Sequence, residues 1–158
     1  VSLAAPHPPD VSLPGPPDPW VELHAALSVV AYGAFALAAV AGGMYLIQER
    51  QLKHHKVSTL FYNLPPISDL SRVNGRLIAL GFIMLTVAFV AGLLSQRPVD
   101  GMKLWASLII WALYGTLYLR RHRHKLSPRA QSLWSLWFFV FIIFTLPWVH
   151  YLSTSSAP

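Results

Sequence analysis

The chain has 158 residues, of which 54% are hydrophobic and only 11% charged. Soluble domains carry about 25% charged residues, so this composition excludes an ordinary soluble globule and points to a multi-pass membrane protein. It contains no cysteine, which excludes disulfides, thiolate metal sites and thiol redox chemistry. The net charge of +6 raises nucleic acid as a partner, but the basic residues flank apolar runs, where they set membrane topology instead.

Residues 1–21 form a proline-rich extramembrane arm. Seven prolines in its first nineteen positions oppose a helix and favour an extended, solvated chain. His7 lies in this arm as a solvated residue. No basic region precedes a short apolar core, so no signal peptide is expected.

Residues 22–152 form the transmembrane domain, and 153–158 a short tail. Four helices are predicted, at about 22–48, 68–94, 102–119 and 130–152. Each approaches or exceeds the roughly 20 residues needed to cross about 30 Å of hydrocarbon. In the first, Ala34, Ala38 and Gly42 recur every four positions, as do Ala39 and Gly43, a spacing that lets helix backbones approach closely. In the second, Ser68 and Asp69 after "LPP" supply a helix start with acid in the first turn. The fourth carries Trp134, Trp137, Phe138, Phe139, Phe141, Phe144 and Trp148, as interfacial anchors or as walls for a flat ligand. Pro147 is a candidate kink near its end.

The predicted fold is therefore an all-α, integral membrane four-helix bundle. Ten lysines and arginines (Arg50, Lys53, Lys56, Arg72, Arg76, Arg120, Arg121, Arg123, Lys125 and Arg129) fall on one side, against Arg97 and Lys103 on the other. The positive-inside rule then puts both termini on the outer, periplasmic side of a bacterial cytoplasmic (inner) membrane.

No carboxylate lies deep in an apolar run, which weighs against a proton-coupled permease. No phosphate-binding glycine loop and no Ser-His-Asp arrangement is present, so no catalytic residues are assigned and an enzyme is not expected. Two histidines attract attention. His24 opens the first helix in "WVELHAALSVV", and His150 closes the fourth in "FTLPWVHYLS". Both fall at the outer boundary. Two histidines at one depth can ligate haem iron from its two faces, or they can simply hydrogen-bond at the membrane surface. His54, His55 and "RRHRHK" belong to the basic side, where they can also meet anionic lipid heads.

Four segments carry a resemblance. "HAALSVVAYGAFALAAVAGGMYLIQERQLK", "LPPISDLSRVNGRLIALGFIMLTVAFVAGLL", "KLWASLIIWALYGTLYLRRH" and "FTLPWVHYLSTSS" resemble the histidine-led helix and the segments after it in the CcsA/ResC and HemX group of cytochrome c assembly proteins. The resemblance spans about residues 22–155 and corresponds to the C-terminal part of such proteins. It implies haem handling during c-type cytochrome maturation, with haem b as cofactor and His24 and His150 as axial ligands. Asp100 and Trp105 would flank the outer face, with Trp148 and Tyr151 near the haem edge. The implied partners are other cytochrome c assembly membrane proteins, apocytochrome c and the lipid bilayer, with no nucleic acid. The outer loop "SQRPVDGMKLW" keeps only the Asp100-to-Trp105 spacing of the family's tryptophan-rich motif, and Leu119 stands where a transmembrane histidine is expected. The shorter HemX-like members, with a regulatory or scaffold role, fit those departures.

Overall fold

A computed structural model describes residues 18–54, 65–95, 101–123 and 126–155, with the side chains of 146–155 left undescribed. It contains four helices: α1 (Pro19–Lys53), α2 (Ile67–Leu94), α3 (Gly101–His122) and α4 (Pro128–Ser155). They alternate in direction, with α1 against α2 as the most extensive interface and α4 closing the ring against α1 and α3. The α1 and α3 helices face each other across a diagonal.

The first helix begins three residues earlier than the sequence predicts and ends five later. The reason is local. Asp18 Oδ1 accepts the Trp20 backbone N–H at 3.0 Å, and Pro19 occupies the first turn. Proline is disfavoured inside a helix but suits the first helical position, where no N–H is needed. At its far end the helix runs on through Glu49, Arg50 and Lys53. Its 35 residues span about 52 Å, well beyond the hydrocarbon. The other three start within two residues of expectation, while α3 and α4 run three residues further at their ends. The α4 helix is continuous through Pro147.

Three of the helices, α1, α2 and α3, are long and apolar enough to cross a membrane. With α4, at 28 residues, they make a membrane-spanning four-helix bundle. Its outside is apolar, as lipid requires: Val29, Leu37, Val90, Trp137 and Phe144 are all exposed. The expected small-residue face of α1 is buried through Ala31, Ala34, Ala38, Ala39 and Gly42. It meets the α2 face formed by Asn74, Ile78, Gly81, Leu85 and Ala88, at the three- and four-residue spacings of one helix side. Helix association in lipid rests on such close approach, because apolar burial supplies little drive there.

The centre of the bundle is aromatic. Phe35 of α1 stacks on Tyr114 of α3, with ring centroids 3.6 Å apart, and Phe138 of α4 meets Tyr114 edge-on at 5.8 Å. Threonines satisfy themselves on their own helices: Thr86 donates to Phe82 O, Thr116 to Leu113 O and Thr145 to Phe141 O. The Trp111 indole N–H then donates to Thr86 Oγ1 at 3.0 Å, tying α3 to α2.

The Tyr114 hydroxyl is buried with no hydrogen-bond partner among the described residues. An unpartnered buried hydroxyl carries its desolvation cost without return. The Tyr114→Phe variant, which keeps the ring stack, is therefore expected to be as stable as the parent or more stable by about 1 kcal/mol. Thermal unfolding in detergent measures this, and a clear loss of stability would show that the hydroxyl has a partner.

Candidate functional site

The bundle has two chemically different ends. The basic end gathers the C-terminus of α1, the start of α2, the end of α3 and the start of α4. The opposite end holds the start of α1, the end of α2, the start of α3 and the end of α4.

His24 lies at this second end, one turn into α1. It continues the buried line Ala31, Phe35, Ala38 and Gly42 at three- and four-residue spacing, so its ring turns toward the bundle and not toward lipid. It is half-buried. Its Nδ1 stands 2.7 Å from the backbone carbonyl of Ala88 on α2. A carbonyl only accepts, so Nδ1 carries the proton and donates. In the neutral ring this leaves Nε2 with a free lone pair.

Space for the imidazole comes from Gly92, one turn beyond Ala88. A Cβ at that position would come within 2.9 Å of His24 Nδ1, closer than a side chain tolerates. A carbonyl acceptor and a glycine thus fix the ring in both tautomer and position. This is the outer-shell arrangement that orients metal-ligating histidines. No group of three or more histidines or carboxylates able to hold a bare metal ion occurs among the described residues. A two-histidine haem site would need only one such residue on each of two helices.

The α4 helix carries position 150 in its last two turns, at the same end of the bundle as His24, and α4 packs against α1. Positions 24 and 150 therefore share an end of the bundle. The side chains of Trp148, His150 and Tyr151 lie outside the described residues, as does Asp100.

Trp105 sits in the second turn of α3 and is 68% exposed. With Met102, Ala106, Ile109, Phe141 and Thr145 it lines an apolar groove of about 230 Å³ between α3 and α4. His24 instead contacts α2. The structure places these two predicted residues at the same end, but on different helix pairs.

Sequence reading missed a second buried constellation, at the basic end. Asn74, Gln131, Ser132 and Ser135 are all at most 3% exposed. Asn74 Nδ2 donates to Ala38 O at 2.6 Å and to Ser135 Oγ at 3.0 Å. Gln131 Nε2 donates to Asn74 Oδ1 at 2.5 Å, and Arg121 Nη1 to Gln131 Oε1 at 2.5 Å. The chain of bonds joins all four helices. Gly42 makes room for it, since a Cβ there would lie 2.9 Å from Ser135 Oγ. Nearby, Gln48 Nε2 donates to Pro65 O at 3.0 Å, and Arg129 of α4 pairs with Glu49 of α1 at 3.5 Å.

The fold and the oriented histidine define a multi-pass helical membrane protein with one ordered imidazole at an end of its bundle. The sequence profile of the family described as Cytochrome C assembly protein matches residues 1–155, and the chain belongs to that family. It is 29% identical to Protein HemX of Brevibacillus brevis over 76% of this chain and 46% of that one. It is 33% identical to the "Uncharacterized 28.8 kDa protein in nifR3-like 5'region" of Azospirillum brasilense, over 58% of this chain and 34% of that one. The chain thus spans less than half the length of either curated relative. No solved structure matches it.

Proposed function

We propose that this chain is a haem-binding component of c-type cytochrome biogenesis in the bacterial inner membrane, with His24 as one axial ligand and His150 as the other. The observation that carries the reading is the hydrogen bond from His24 Nδ1 to Ala88 O. It leaves Nε2 as the ring atom able to ligate iron when the ring is neutral. Family membership supports the same reading, as does the place of His150 at the same end of the bundle. When bound, haem b would supply a redox-active iron whose state the two imidazoles tune. What the protein would contribute is the fixed orientation of the His24 ring.

The orientation that fits is both termini outward, since by sequence ten of the twelve lysines and arginines fall toward the opposite side. His24 would then stand at the periplasmic face, where apocytochrome c and other assembly proteins are the partners. Trp105 and its groove would offer an apolar wall beside the start of α3. The test is haem titration of the purified protein beside His24→Ala and His150→Ala. Each single change is expected to convert a six-coordinate spectrum to a five-coordinate one. An unchanged spectrum in both would sink the assignment. A second reading, a regulatory or scaffold subunit of HemX type that acts without haem, draws on the resemblance to Protein HemX. It predicts no haem uptake at all.

A further inference from the structure

The basic end of the bundle contains a groove that the haem reading does not use. It opens between α2 and α3, has a volume of about 370 Å³, and is lined by Gly75, Arg76, Ala79, Tyr118, Arg121 and His122. Its floor is Gly75, and the Arg121 guanidinium lies so close over that residue that any Cβ there would overlap it. Arg121 is further held by its bond to Gln131 Oε1, itself fixed through Asn74. Tyr118 forms a wall, stacked between Phe82 at 5.3 Å and His122 at 6.2 Å.

Two facts make this a site and not a charged rim. First, Arg121 is an ordered cation with five donors and, among the described residues, one acceptor. A half-buried guanidinium seeks acceptors for the rest, and a planar fork matches phosphate oxygens in pairs. Second, among the described residues no carboxylate lines the groove. The acids nearest this end are engaged elsewhere, Glu49 with Lys53 and Arg129, and Asp69 with Arg72. The depth selects the ligand. The apolar run of α3 ends at Leu119, so Arg121 and Arg76 stand at headgroup level while Ala79 and Tyr118 border the hydrocarbon.

We propose that this groove binds the phosphate of one anionic phospholipid, with Arg121 as the fixed donor, Arg76 as the second, and an acyl chain along Ala79 and Tyr118. The site stands independently of haem binding. The test is native mass spectrometry of the full chain in detergent with phosphatidylglycerol, phosphatidylcholine or inorganic phosphate added. One phosphatidylglycerol is expected to stay bound in preference to phosphatidylcholine, with retention falling about fivefold in Arg76→Gln. Arg121→Gln should fall at least as far. Arg76 is exposed and outside the buried network, so its replacement leaves the fold intact even if that of Arg121 does not. Arg123→Gln, at the same end but not in the groove, should retain the lipid. Equal retention of both lipids, or an equal fall in Arg123→Gln and Arg76→Gln, would overturn the proposal. Displacement of the lipid by millimolar inorganic phosphate would replace it with a small-anion site.

Discussion

Replacing Asn74 with leucine is expected to destabilise the bundle by about 2–3 kcal/mol. The side chain is fully buried and stands at the centre of the polar chain, bonded to Ala38 O, Ser135 Oγ and the Gln131 amide. Leucine is close in size, so no large cavity opens. What is lost is pairing: the Gln131 amide and the Ser135 hydroxyl remain buried with one partner fewer. Polar contacts in lipid are worth less on average than this, because the unfolded chain also finds partners there. Asn74 is placed above that average because it serves three groups at once. The Gln131→Leu variant is expected to cost a similar amount, and the double variant distinctly less than the sum, as for groups in one network. Unfolding in mixed detergent micelles measures all three. Strictly additive losses would show that the two amides act separately.

The second large effect is expected at Gly92. A valine there would drive its Cβ into the His24 ring, which lies 2.9 Å from the Cβ position. The imidazole must swing away and lose Ala88 O. Outer-shell changes of this kind cost about 10–100-fold in metal affinity, and that loss is expected for haem in Gly92→Val. The fold should survive, because Gly92 lies near the end of α2 and only half-buried. Gly43→Ala is the control: beyond its own stretch of helix, no atom of the described residues lies within 4 Å of a Cβ there, so it should leave both stability and haem affinity unchanged. Equal haem affinity in Gly92→Val and the parent would mean that the ring's orientation does not matter to ligation.

The bundle itself is legible in the sequence. Apolar runs as long as a membrane is thick leave few alternatives, and lysines and arginines mark where they end. The small-residue line Ala34, Ala38, Gly42 also declared the face that α1 buries. The start of α1 was less legible, because the prolines before it masked the capping role of Asp18 and Pro19. The polar network was invisible for a different reason. Asn74 and Gln131 sit in the early turns of their helices, where a polar residue reads as headgroup-facing. Only helix rotation, fixed by contacts with Ala38 and Ser135, turns them inward. The same holds for His24. Its place at the start of α1 was readable, but its hydrogen bond to Ala88 and the space at Gly92 follow from the α1–α2 interface. Trp105 was read as part of an outer haem face; its place in an apolar groove of α3 and α4 with Phe141, apart from the α1–α2 contact of His24, follows from packing that the sequence does not show.

Chemical rescue tests the ligand role of His24 most directly. His24→Gly is purified, loaded with haem, and its absorbance recorded with and without millimolar imidazole. The expected result is a five-coordinate spectrum that returns to the low-spin, bis-imidazole form when imidazole is added. A low-spin spectrum already present in His24→Gly, before any imidazole, would contradict it.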